Sequence, residues 1–466
     1  MKLKMQHKFT GSSERAYEPL HTPWYFQDIP QDDEVRKSAL FIVHGIGSQL
    51  YTETAKELRD GFEDALAGIQ EKLNNEILPP PFIYEGYWAD YSDIQATFPE
   101  LWRDFSENEG KFFKSLSEHR VTEPGRTAWW FIGQICRLWS PRTKTISKFG
   151  WITGGTVLLM TPLTVFSVLI MLAAKPKIFA DVLSDIRIYC DPQGSIERAL
   201  VQRIDYRVGE RLLKLLGLDW NFQTLKPEKQ LFICGIPHKF DYVTVMSHSL
   251  GTIIAHNVIS DILKRIEEYE QKIKALQKSK QPSTEELPPM ENIERVKRGL
   301  HRFYTMGSPL HNIYLLFENR VRMWPENAGE MFQTIDKDGK KVPRHWWGNF
   351  YHAFDPISER IIRPFPLAEN LHSKTLFVPG IAHSGYFKDP RVLKYIISRT
   401  YERDRCDWKE PEFRSNAQYL LLRLVLMVLV SILAGAALFG LVILITSGGG
   451  TVWLAKKALQ WIKSIF

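Results

Sequence analysis

The amino-acid sequence predicts an α/β fold with a mainly parallel sheet and helices on both of its faces. Short β-rich runs bounded by polar or turn residues recur along the chain, and helical patterns fall between most of them. The predicted strands are residues 39–43, 82–88, 186–190, 242–246, 303–306, 350–353 and 375–378. The clearest predicted helices are residues 54–72, 196–216 and 252–267.

The strongest local signal is a strand, a sharp turn and a helix around Ser249. The apolar run 242–246 leads into Ser247-His248-Ser249-Leu250-Gly251, and a helical pattern follows at once. This is the layout of a nucleophile elbow, in which small residues two before and two after the serine let backbone segments approach closely. Ser247 stands where the general motif has glycine. We therefore predict that Ser249 is a nucleophile.

A second signal is the apolar run 40–43, which leads directly into His44-Gly45-Ile46-Gly47. A glycine-rich loop after a buried strand can offer a backbone N–H to a developing oxyanion. The loop donor is Gly45 or Ile46, between which the sequence does not choose, and the amide of Leu250 is the second predicted donor.

Asp355 is the predicted acid, because folds with such an elbow supply serine, acid and histidine in that chain order. Asp355 follows the predicted strand 350–353, so it is expected at the same sheet edge as Ser249. Asp336 and Asp338 are the weaker candidates, since they lie in a segment typical of a solvated turn.

His383 is the predicted base, because it follows the predicted strand 375–378, whereas His372 precedes it. A base must reach the serine from the carboxyl edge of the sheet. His383 would take the Ser249 proton, and Asp355 would orient and stabilise the charged imidazole. This acyl-transfer chemistry needs no metal and no organic cofactor.

At these residues the chain resembles a known group of enzymes, the intracellular phospholipases A1 with a DDHD domain, and related lipase-like hydrolases. The similar blocks are Val43-His44-Gly45-Ile46-Gly47, the elbow, Met306-Gly307-Ser308-Pro309-Leu310, residues 349–356 and His383-Ser384-Gly385-Tyr386-Phe387. The resemblance implies an α/β-hydrolase fold and a serine esterase or lipase whose substrate is a glycerolipid ester, such as a glycerophospholipid. The alternatives are another hydrophobic or lipid-linked ester or thioester, or a membrane scaffold with a hydrolase fold and no turnover.

Two charge-free runs, residues 149–174 and 424–455, predict membrane attachment, and both are long enough to hold a transmembrane helix. A single crossing by the first run would place His44 and Ser249 on opposite sides of the bilayer. We therefore expect a hairpin bent near Thr161 and Pro162, with both ends at one surface. The alternative is a second crossing by the apolar region 129–139.

These patterns predict three parts of the chain. Residues 1–34 form a polar segment, residues 35–410 the α/β-hydrolase catalytic domain, and residues 411–466 a membrane anchor with an amphipathic tail. The catalytic domain is expected to carry a membrane-associated insertion at about 94–180 and a charged, partly helical one at about 261–298.

Charge and cysteine content indicate which binding partners and which cellular compartment to expect. The net charge is +7, and the basic residues gather beside the apolar runs, which favours contact with anionic lipid headgroups and not with nucleic acid. The four cysteines are far apart without a Cys-x-x-Cys pair, so neither a zinc site nor a disulfide framework is predicted. The absence of a secretory pattern in residues 1–34 predicts a catalytic domain on the cytoplasmic face. The oligomeric state stays open.

Overall fold

The structure is a computed structural model that describes most of the predicted catalytic domain. The described residues are 38–45, 53–70, 82–86, 88, 186, 188–190, 192, 194–233, 236–279, 287–316, 321–331, 333–335, 341–343, 346–352, 355, 358–361, 365, 368–373, 381–400, 418, 421–422 and 425.

A parallel sheet of six strands forms the centre of the described chain. The strands, in chain order, are β1 (Ser38–Val43), β2 (Phe82–Glu85), β3 (Leu231–Ile233), β4 (Ile236–His238), β5 (Tyr242–His248), β6 (Leu300–Met306), β7 (Gln333–Ile335), β8 (Lys341–Pro343), β9 (Trp347–Tyr351) and β10 (Ala368–His372). The central sheet has the order β10-β9-β6-β5-β1-β2, and every neighbouring pair in it is parallel. Strands β3 and β4, and strands β7 and β8, form two small antiparallel pairs. The predicted α/β class with a mainly parallel sheet is confirmed.

Helices pack on both faces of this sheet. They are α1 (Glu53–Gln70), α2 (Gly194–Leu215), α3 (Gly251–Ser279), α4 (Met290–Gly299), α5 (Leu310–Leu316), α6 (Ala328–Met331), α7 (Ile381–Ser384) and α8 (Pro390–Thr400), with 3₁₀ turns at Pro227–Lys229 and Gly385–Lys388. Side chains of α2, α3 and α4 share one buried apolar cluster with the sheet, and side chains of α1 and α8 share a second.

Strand β1 illustrates why these residues form a central strand. Phe41 and Val43 belong to the cluster under α2 and α3, whereas Leu40 and Ile42 belong to the cluster under α1 and α8. Successive side chains of a strand point to opposite faces, so a strand that is covered on both faces needs apolar residues at every position.

Some predicted elements differ from the observed ones. The described residues of 186–190 are helical, so the strand predicted there is wrong; a short apolar run is compatible with either element, and periodicity alone does not separate the two. The predicted strand 375–378 lies outside the described residues. The last described strand is β10, which ends at His372. The charged stretch at 261–298 contains the second half of α3 and nearly all of α4.

The predicted membrane run 149–174, the hairpin at Thr161 and Pro162, and nearly all of residues 424–455 also lie outside the described residues. Within the described part of the chain, no helix is both long enough and apolar enough to cross a membrane.

Candidate active site

Ser249 occupies a sharp turn between β5 and α3. Its backbone φ is +52°, a conformation that residues with a side chain adopt rarely. Neighbouring groups hold the turn, since the Ser249 amide donates to the Met306 carbonyl at 3.1 Å and the Thr252 hydroxyl donates to the Ser249 carbonyl at 2.7 Å. This is the strained strand-to-helix turn that the sequence pattern predicts.

Ser247, at the position where the general motif has glycine, is fully buried at the end of β5. Its hydroxyl donates to the Tyr304 carbonyl on β6 at 3.1 Å. The added side chain therefore has both room and a hydrogen-bond partner, and the departure from glycine is compatible with the turn.

His383 and Asp355 lie together beyond the ends of β9 and β10. The His383 Nδ1 is 3.0 Å from Asp355 Oδ2 and 3.1 Å from Oδ1. Asp355 is fully buried, and its carboxylate also accepts the Tyr386 hydroxyl at 2.8 Å and the Ser358 amide at 3.2 Å. A carboxylate in this position selects the tautomer with a proton on Nδ1, which leaves Nε2 free to accept a proton.

The imidazole of His383 lies close to the elbow. Its ring centroid is 4.7 Å from that of His248, which directly precedes Ser249. Gly307, at φ +60°, makes room for the imidazole, because a Cβ there would lie 3.0 Å from both Cε1 and Nδ1 of His383. Among the described residues, no hydrogen bond joins the Ser249 hydroxyl to His383.

The loop after β1 also approaches Ser249. A Cβ on Gly45 would lie 2.7 Å from the Ser249 Cβ and 3.3 Å from its hydroxyl oxygen. A Cβ on Gly251 would lie 2.1 Å from the His44 carbonyl oxygen, so glycine allows α3 to begin against this loop. No described backbone group accepts the Leu250 amide, which is compatible with an oxyanion donor. Ile46, the other loop candidate, lies outside the described residues.

The weaker candidates do not join this site. The imidazole of His372 stacks on Tyr351 with their centroids 5.2 Å apart, and His372 is fully buried at the end of β10. Asp336 and Asp338 lie outside the described residues. No cluster of histidine, cysteine, aspartate and glutamate side chains that could hold a metal ion occurs in the described part of the chain.

The sequence alone does not single out four residues that contact the site, namely His248, Gly307, Ser358 and Tyr386. All four are in or beside the blocks of the resemblance, but their roles depend on contacts between segments that are distant in the chain. Tyr386 had a usable local signal, because it follows His383 by three residues and therefore shares one side of a helical turn with it.

No protein-family model, no curated protein and no solved structure matches this chain. A function must therefore be inferred from the parallel α/β architecture and from the geometry at the carboxyl edge of its sheet.

Proposed function

We propose that the protein is a serine hydrolase of the α/β-hydrolase type, with Ser249 as nucleophile, His383 as base and Asp355 as acid. One observation carries the proposal: the strained Ser249 turn and the bonded pair of His383 and Asp355 lie at the same edge of one parallel sheet. The serine follows β5, the acid follows β9 and the histidine follows β10, which is the chain order of this class of enzyme.

The reaction follows from the roles of the three side chains. His383 Nε2 removes the Ser249 proton as the serine oxygen attacks the ester carbonyl carbon, and Asp355 stabilises the imidazolium. The Leu250 amide and an amide from Gly45 or Ile46 bind the oxyanion. The ester C–O bond then breaks, and the leaving alkoxide takes the proton from His383. Water, activated by the same imidazole, hydrolyses the acyl-enzyme and releases the carboxylic acid.

The proposed substrate is a carboxylic ester of a membrane lipid, such as a glycerophospholipid. The C-terminal segment supports this, because Leu422 packs against Tyr351, the last residue of β9. Nearby, Leu421 and Val425 are 62% and 47% exposed, and the charge-free run begins at residue 424. An apolar anchor that starts beside the catalytic edge would bring the site close to lipid esters.

Labelling of the detergent-solubilised chain with a fluorophosphonate probe tests the nucleophile. Native protein should label, whereas Ser249→Ala and His383→Ala should not. Ser260→Ala is the matched control, since Ser260 is a buried serine of α3 whose hydroxyl donates to the Met323 carbonyl, away from the elbow. Equal labelling of Ser249→Ala would show that another residue is the nucleophile.

The substrate class needs a separate assay. Glycerophospholipids of varied headgroup and chain length should be hydrolysed faster than short water-soluble esters. Preference for hydrophobic thioesters or other lipid-linked esters would support the alternative enzyme. A folded native chain that neither labels nor hydrolyses any of them would support the scaffold with a hydrolase fold.

A further inference from the structure

His248 connects the two segments that carry the proposed nucleophile and base. It is the last residue of β5 and directly precedes Ser249. Its Nε2 lies 2.7 Å from the backbone carbonyl oxygen of His383, across a sequence separation of 135 residues. The imidazole also packs against Phe387, with their centroids 5.3 Å apart. The His248 side chain therefore contacts residues 383–387, the histidine segment, through both a hydrogen bond and ring packing.

The chemistry of this contact defines the state of His248. A carbonyl oxygen only accepts hydrogen bonds, so Nε2 must carry the proton and donate it. Burial, followed by the nearby His383 imidazole, lowers the pKa of His248, which favours the neutral ring. A neutral donor holds the segment without placing a second positive charge beside the imidazolium that forms on His383.

We propose that His248 is a positioning residue, whose Nε2–H holds the His383 backbone so that the His383 imidazole stays between Ser249 and Asp355. The proposal rests on the proposed function, because it assigns His248 to the same reaction. The elbow and the histidine segment belong to different parts of the chain, and the hydrogen bond fixes one relative to the other.

Two substitutions separate the hydrogen bond from simple filling of space. His248→Leu keeps apolar bulk but removes the donor, whereas His248→Gln keeps an N–H donor on a side chain of similar reach. We expect the labelling rate constant with the fluorophosphonate probe to fall roughly 10- to 100-fold in His248→Leu, because small misplacement of a catalytic group has effects of this size. His248→Gln should stay within about threefold of native protein.

Rescue by the conservative variant gives a readout that a merely structural residue would not change. If His248 only filled space, His248→Leu and His248→Gln should have similar labelling rate constants, whereas a donor role predicts that only His248→Gln keeps a rate constant near the native one. His256→Leu is the matched control, since His256 is a buried histidine of α3 that packs against Trp324. Its labelling rate constant should equal that of native protein.

The outcomes are distinguishable. A folded His248→Leu variant with the native labelling rate constant overturns the proposal, and so does a His248→Gln variant that is as slow as His248→Leu. If His248→Leu does not fold, His248→Asn replaces it, because its shorter amide should not reach the His383 carbonyl and the same loss is expected. If native protein does not label, the proposed function itself fails and the role of His248 falls with it.

Discussion

Ser249 carries the backbone strain of the candidate site. A non-glycine residue in the left-handed region costs on the order of 1–3 kcal/mol and persists only where the surroundings enforce it. Here the Met306 carbonyl accepts the Ser249 amide, and Thr252 binds the Ser249 carbonyl. The Thr252 hydroxyl is also 2.8 Å from that of Ser308, so the residues after β6 support the elbow as well.

Substitution of Gly45 tests the close approach of the β1 loop. In Gly45→Ala the new methyl group would meet the Ser249 Cβ at 2.7 Å, so the loop or the serine must move. We expect the labelling rate to fall roughly 100-fold. Gly348→Ala is the control: its Cβ would meet the Tyr304 ring at 2.9 Å inside the sheet, so it should lower the melting temperature without slowing the reaction comparably. A native rate in Gly45→Ala would contradict this role for the loop.

Tyr386→Phe tests the tyrosine donor to Asp355. Loss of the 2.8 Å hydrogen bond removes one of the groups that fix the Asp355 carboxylate beside His383, so the labelling rate constant should fall. The free energy of unfolding should fall by about 1 kcal/mol. An unchanged labelling rate constant would mean that the tyrosine hydroxyl does not influence the pair.

Helices α2 and α3 are joined by a partly buried ionic network as well as by apolar packing. Arg322 contacts Asp205 of α2 at 2.6 Å and also binds Asp261 of α3. Tyr189 donates to the second Asp205 oxygen at 2.6 Å. Because Asp205 is buried, removal of Arg322 would leave its charge uncompensated. Arg322→Ala should therefore lower the free energy of unfolding by about 3 kcal/mol.

Asp205→Asn tests the protonation of this network. Burial raises the pKa of Asp205 from 3.8 to about 6, although Arg322 opposes the shift. The folded state therefore holds the proton more tightly than the unfolded state, and the associated stabilisation is present below pH 3.8 and is lost as pH rises to about 6. Denaturant unfolding across this range should show a smaller fall in stability for Asp205→Asn than for native protein. Parallel curves would contradict the assignment.

Across the whole molecule, the membrane prediction must agree with a single parallel sheet. His44 and Ser249 directly follow the adjacent strands β1 and β5, although the charge-free run 149–174 separates them in the chain. Both strands must therefore be on the same side of any bilayer. We therefore expect that residues 149–174 enter and leave the bilayer by the same surface.

Cysteine accessibility tests this topology. In a chain whose four native cysteines are replaced, single cysteines at Ser147 and Lys177 flank the run. An impermeant maleimide applied to sealed vesicles should label both positions from the same face, and a cysteine at Lys388, an exposed residue after His383, should label from that face too. Labelling of Ser147 and Lys177 from opposite faces would rule out the hairpin or the single catalytic sheet.

Much of the fold was predictable because local patterns agree with the tertiary environment. Largely apolar runs at β1 and β5 are typical of strands that are covered on both faces, and the structure has those strands. The predicted strand 303–306 lies within β6. The strand predicted at residues 186–190 is wrong because Ile188, Tyr189 and Cys190 are buried in a helical segment. A short apolar run occurs in buried helices as well as in buried strands. The first three residues of β10 are partly exposed, and two of them, Glu369 and Asn370, are polar. The strand therefore has no continuous apolar run by which the sequence could predict it.

By itself, the sequence determined the α/β class and a short set of chemically suitable residues, because hydrophobic periodicity and the turn around Ser249 are local properties. Only the tertiary structure decided that Asp355 and His383 meet, that Tyr386 and His248 support them, and that His372 instead stacks on Tyr351. The physical reason is that parallel strands bring chain-distant carboxyl ends to one edge, and the contacts formed there depend on strand order and register.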